Sequence, residues 1–141
     1  NYENFSFNQI RSLKKLLKYL VKIYKIDFKN ILGHSDVAPA RKKDPGEKFP
    51  WKSLSKVKLG LWHNLQEVEL KKIRLLSLDS KEETVFLKNL CKLGYNRIKP
   101  FKSDFNNRSL IKAFQRRFRQ NLINGLADKE CLAISKNLIK P

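Results

Sequence analysis

In the stretch SFNQIRSLKKLLKYLVKIY, residues 6–24, apolar side chains recur at three- and four-residue intervals. Ile10, Leu13, Leu16, Leu17, Leu20, Val21 and Tyr24 thereby share one face of an amphipathic helix. Ser6 and Gln9 have the spacing of a capping box, and Phe5 and Ile10 stand where a hydrophobic staple would cross the cap. After Tyr24 the period changes. In IDFKNILGHS, Ile31 and Leu32 read as a short buried strand that Gly33 ends, delivering His34 at its tip. Pro39, Pro45, Gly46 and Pro50 make residues 37–50 a constrained loop. WKSLSKV then predicts a short helix turning Trp51, Leu54 and Val57 back onto the first unit. Residues 58–79 mix periods and read as a connector lying partly against that unit.

A second unit begins at the capping box Ser80-x-x-Glu83, with Phe86, Leu87, Leu90 and Cys91 on the buried face of its first helix and Gly94 at its end. NRSLIKAFQRRFRQNL follows as a helix with Leu110, Ile111, Phe114 and Phe118 inward and Arg116, Arg117 and Arg119 outward, closed by Gly125. Asp128 is placed to cap a last helix carrying Cys131, Ile134 and Leu138. The pattern thus predicts an α/β unit over 1–57, a connector over 58–79 and a small three-helix domain over 80–141.

Composition adds a constraint on partners. With 41% hydrophobic and 31% charged residues the chain falls in the folding range. Its net charge of +18 favours polyanions: nucleic acid, anionic lipid or an acidic cell-wall polymer. Most lysines alternate with core-facing positions, as on a solvated helix face, and no nucleic-acid motif accompanies the charge, so nucleic acid is not expected as a partner. Cys91 and Cys131 lack metal-ligand spacing and sit in apolar helical patterns, where buried thiols are the default and a disulfide between them is unsupported. No apolar run is long enough for a transmembrane helix.

The chemistry concentrates in GHSDVAPARKKDPGEKFPW, residues 33–51. A histidine and an aspartate returned by a proline-braced loop can meet at one metal, although a loop-bracing pair has the same spacing. A zinc hydrolase takes three protein ligands and leaves a fourth position to water. Lys42, two residues before Asp44, can point into the same pocket, where its charge would stabilise an oxyanion.

The wording of this loop resembles the zinc-dependent N-acetylmuramoyl-L-alanine amidases of the type-2 family, the AmpD and AmiD enzymes. Ala40 stands where that family often has glycine, and Lys43 where it often has threonine. The resemblance implies a Zn2+ cofactor held by His34 and Asp44, Lys42 as the catalytic lysine, and Asp36 as a loop hydrogen-bond acceptor rather than a ligand. LGY at 93–95, AFQRRFR at 113–119 and NGLAD at 124–128 look like the three-helix peptidoglycan-binding domain that follows the catalytic domain in such enzymes. Tyr95, Arg116 and Arg119 are its weaker candidates for glycan or stem-peptide contact.

The family takes another zinc-binding histidine and a catalytic glutamate from an N-terminal half that precedes the helix at 6–24. His63, in GLWHN, resembles the turn after the catalytic domain, with Trp62 as an anchor. The expectation is therefore the C-terminal part of a mixed-sheet amidase domain followed by the helical domain. Its partners would be a peptidoglycan or muropeptide substrate and the N-terminal half of the same enzyme, possibly as a separate chain. Its place would be the cell envelope, with the cytoplasm or the exterior as alternatives. The rival expectation is a non-catalytic peptidoglycan-binding protein with a remnant amidase domain.

Overall fold

A computed structural model of the chain describes residues 3–95 and 104–140. Its first element, α1 (Phe7–Tyr24), starts as its sequence requires: Gln9 N–H donates to Ser6 Oγ (3.2 Å) and Ser6 N–H to Gln9 Oε1 (2.8 Å). Leu13, Leu17 and Val21 pack inward, but no residue of α1 is buried, and Leu16 and Tyr24 of the expected apolar face are exposed. Phe5 meets the edge of the Phe49 ring, at 5.4 Å between centroids.

The expected α/β character is corrected at this point, because every regular element among the described residues is helical. A 3-10 turn (Phe28–Asn30) leads into Ile31, whose backbone is extended (φ −85°, ψ 104°) but pairs with no strand, and Leu32 is exposed rather than buried. A strand needs a neighbour for its backbone N–H and C=O groups. Here the Ile31 carbonyl is met instead by a side chain, Arg117 Nη2, at 3.1 Å. His34 accordingly opens a one-turn helix, α2 (His34–Val37), instead of capping a strand.

Next comes α3 (Trp51–Ser55), which buries Trp51 and Leu54 with Phe49 and Leu59 in a small core, while Val57 remains exposed. The mixed-period stretch holds an unanticipated helix, α4 (Glu67–Ile73), and its Leu70 belongs to a second, larger core. The helices α5 (Ser80–Lys92), α6 (Asp104–Phe118) and α7 (Lys129–Leu138) build the rest of that core around Phe86, Phe114, Phe118 and Ile134. Trp62 packs against both cores.

The caps of this unit follow local chemistry, with a one-residue shift at the start of α5. The box at the start of α5 is Asp79 with Glu82, whose carboxylate accepts from Asp79 N–H at 3.1 Å; Ser80 is already helical. Gly94 takes the left-handed conformation expected after α5 (φ +90°), and Asp128 caps α7 by accepting from Cys131 N–H at 2.9 Å. Both thiols are free. Cys91 is exposed, against expectation, whereas Cys131 is buried and burial pushes its pKa up to about 12.

The larger reversal concerns the arginines of RRFR. Arg116, Arg117 and Arg119 are all buried, not outward. Arg119 pairs with Asp128 and Glu130, and Glu130 also accepts from Arg74 Nε (2.6 Å) and Nη2 (2.8 Å), which ties α4 to α7. No helix among the described residues is long and apolar enough to cross a membrane.

Candidate functional site

The backbone of residues 33–46 closes a compact loop. Asp36 and Val37 N–H donate back to Gly33 C=O at 3.0 and 3.4 Å, forming the single turn of α2. Lys42 N–H donates to Ala38 C=O at 2.9 Å, and Ser35 N–H to Asp44 C=O at 2.9 Å. This last bond spans the loop and returns residue 44 to the turn that carries His34. The Asp44–Pro45 peptide is cis. Gly33 is required by space: a Cβ there would stand 2.6 Å from Pro45 Cδ and 3.3 Å from the Trp51 ring.

His34 and Asp44 consequently meet, the imidazole Nδ1 donating to Asp44 Oδ2. Both side chains face solvent, at 75% and 54% exposure. The hydrogen bond from His34 holds the Asp44 carboxyl below its ordinary pKa, and the charges of His34 and Lys42 act in the same direction. Lys42 and Asp44 line one shallow depression of about 420 Å³ with Arg41, Lys43, Pro45 and Gly46. An imidazole nitrogen and a carboxylate oxygen at one spot are suitable donors for zinc. Among the described residues no third His, Cys, Asp or Glu joins them, so the pair fits a metal as part of a ligand set.

Beneath this exposed pair lies a buried cluster that the sequence reading did not assemble. Asp36 is an acceptor, as expected of it: Oδ2 accepts from Gly33 N–H (2.8 Å) and from Arg117 Nη1 (2.8 Å), and Oδ1 from the Tyr95 hydroxyl (2.7 Å). The guanidinium of Arg117 lies 3.5 Å from the centroid of the Trp51 ring, a cation–π stack. Burial, reinforced by the Asp36 carboxylate, raises the Tyr95 pKa well above its ordinary value and keeps the phenol a donor. Gln120 adds a bond from Nε2 to Phe49 C=O at 2.8 Å. Arg117 did carry a signal: it follows Leu110 and Phe114 at i+7 and i+3, on the stripe that faces the core.

Of the other sequence candidates, Tyr95 joins this buried cluster and the rest lie elsewhere. Tyr95, Arg116 and Arg119 are buried, with Tyr95 and Arg119 bonded to protein carboxylates. His63 stacks on Trp62 (5.1 Å between ring centroids), away from His34 in its contacts. Burial lowers its pKa, while a hydrogen bond to the Phe118 backbone acts the other way. Trp62 packs against Phe118 as an anchor, with ring centroids 6.0 Å apart.

Residues 1–47 match the family model described as N-acetylmuramoyl-L-alanine amidase, Amidase_2. The chain is 36% identical over 132 residues to N-acetylmuramoyl-L-alanine amidase AmiD of Escherichia coli (strain K12), a match covering 94% of this chain and 48% of that protein. It is 43% identical over 60 residues to the 1,6-anhydro-N-acetylmuramyl-L-alanine amidase AmpD of Haemophilus influenzae, covering 41% of this chain and 33% of that one. Among solved structures, AmiD from E. coli in complex with anhydro-N-acetylmuramic acid-L-Ala-D-γ-Glu-L-Lys superposes with a TM-score of 0.84 at 35% identity, covering 99% of this chain and 54% of that one. AmpDh3 from Pseudomonas aeruginosa in complex with anhydromuramic pentapeptide gives 0.81 at 31% identity, covering 98% and 54%. The chain spans about half the length of AmiD. The chain is thus similar to AmiD and AmpD amidases over part of their length.

Proposed function

We propose that these residues belong to a zinc amidase that hydrolyses the amide between N-acetylmuramic acid, or its anhydro form, and the L-alanine of peptidoglycan stem peptides. The observation that carries this reading is the meeting of His34 with Asp44 beside Lys42, on a segment whose sequence up to residue 47 matches the amidase family. His34 and Asp44 would hold the metal. When bound, zinc supplies Lewis acidity to water and to the scissile carbonyl. Lys42 presents its ammonium to the oxygen that gains negative charge as the carbonyl is attacked, and a charge-stabilising donor at that place is worth about 3 kcal/mol of barrier.

The remaining ligand and the group that moves the proton would come from an N-terminal half of the same enzyme, joined to this segment or on a separate chain. Two observations support that part. AmiD is about twice as long as the region it shares with this chain, and Leu16, Tyr19, Ile23 and Tyr24 of α1 are exposed, as is Leu32. In this reading residues 1–57 contribute to catalysis, 58–79 connect, and 80–141 hold the enzyme on the wall polymer, raising the local substrate concentration. The cell envelope is the compartment that such a polymer-binding segment serves.

Incubating the full enzyme with an anhydromuramyl tripeptide and following release of the peptide by mass spectrometry tests the assignment. Release that stops on chelation and returns with zinc is the expected result. Binding to insoluble peptidoglycan with no release, at any zinc concentration, would instead identify a non-catalytic wall-binding protein.

A further inference from the structure

His34 and Asp44 are mostly exposed, so packing does little to fix their side chains; their geometry depends on the backbone that carries them. That backbone is gripped from a distant part of the chain. Arg117, 2% exposed and 81 residues from Asp36 in sequence, reaches Asp36 Oδ2 through Nη1 and the Ile31 carbonyl through Nη2, the two sides of the turn that begins with His34. Tyr95 takes the other carboxylate oxygen. Asp36 in turn fixes the Gly33 amide, the residue immediately before His34. A buried ion pair is a poor source of net stability, because desolvation offsets most of the attraction, but it tolerates little displacement of either partner. Its value at this place lies in geometry.

We propose that Arg117, with Tyr95, is a positioning residue for the metal-binding turn, so that the helical module sets the register of the zinc ligands in addition to any hold it has on the polymer. This rests on the reading of His34 and Asp44 as zinc ligands. Without Arg117, Asp36 loses its charge partner and the Ile31 carbonyl its donor. The turn is then free to shift against Pro45 and Trp51, and His34 moves with it. Arg117 touches neither metal nor substrate; its effect passes through Asp36 and the backbone of residues 31–34.

The test uses the full enzyme with Arg117→Gln, with Tyr95→Phe, and with Leu138→Ala as a control that loosens the same helical core outside the Asp36 cluster. Two readouts are taken: amide hydrogen exchange of residues 33–37 in metal-free protein, and zinc affinity by chelator competition. Arg117→Gln is expected to speed exchange in the turn and weaken zinc by about tenfold, the loss typical of removing a group that orients metal ligands. Tyr95→Phe should move both in the same direction by a smaller factor, and Leu138→Ala should move neither beyond roughly twofold despite a lower melting temperature. Equal changes in the control and in Arg117→Gln would overturn the proposal, as would unchanged exchange in the turn. If Arg117→Gln does not fold, Tyr95→Phe decides by the same criteria. Should the unmodified enzyme bind no zinc and cleave no muropeptide, the amidase reading falls, while the exchange measurement still decides whether Arg117 and Tyr95 hold the turn.

Discussion

The turn at residues 33–46 and the helical unit around Phe114 place their polar groups in opposite ways. In the turn, Lys42 and Asp44 border a shallow open depression with His34 bonded to Asp44, and the core behind them has, among the described residues, four buried hydrophobic residues, Phe49, Trp51, Leu54 and Leu59. In the helical unit the charges are inside: Arg119, Asp128 and Glu130 are paired around a much larger apolar core. Exposed side chains are not immobilised by burial, and the backbone that carries them is bonded to the region that is buried. Arg117 and Gln120 are the points of attachment, reaching from the end of α6 to Asp36, Ile31 and Phe49.

The sharpest way to separate the two regions is to damage each alone. Phe114→Ala empties the centre of the helical core, where Phe114 touches Phe86, Tyr95 and Phe118, and should cost about 3–5 kcal/mol of stability in denaturant titration. Lys42→Ala should do the reverse. Turnover on an anhydromuramyl peptide is expected to fall about 10²- to 10³-fold with zinc still bound, while the melting temperature hardly moves. Undiminished turnover would remove Lys42 from the chemistry.

A smaller effect tests the cap of α5. Asp79→Ala should cost about 1 kcal/mol, and Ser80→Ala less than about 0.5 kcal/mol, because Asp79 and not Ser80 receives the Glu82 amide. The reverse order would restore the cap to Ser80.

The smallest effect is a pH dependence at His63. Its folded pKa lies below the ordinary value of 6.5, chiefly because burial disfavours the charged ring, so the unfolded chain binds the extra proton first. Stability is therefore full above pH 6.5 and declines as the pH falls below that value through the folded pKa. The melting temperature of the unmodified protein should drop between about pH 7 and 5 more than that of His63→Gln, in a window above the titration of Asp44 and Glu82, whose folded pKa values are also lowered. Identical slopes for the two proteins would show that His63 is not the group responsible.

Local chemistry was legible wherever neighbours in sequence are neighbours in space. The Ser6–Gln9 box, the Asp128 cap, the left-handed Gly94 and the spacing that returns Asp44 to His34 all depend on contacts within a few residues or one braced loop. Ile31 and Leu32 mislead because a short apolar run with a β-branched residue indicates extended backbone without saying whether a partner strand is present; here the partner of Ile31 is an arginine 86 residues away. The arginines of RRFR misled for a related reason. Charge alone suggests exposure, although Arg117 stands on the same helical stripe as Leu110 and Phe114, and its counter-ion Asp36 lies in a different segment.

By itself, then, the sequence determined α1, α3 and the three helices of the second unit, most of their caps and the ten-residue loop that brings an imidazole to a carboxylate, since these follow from periodicity, turn residues and short closures. Only the tertiary structure decided that Asp36, Tyr95 and Arg117 converge beneath that loop. A buried charge is tolerable only where a distant chain segment supplies its partner, and no local pattern records which segment that will be.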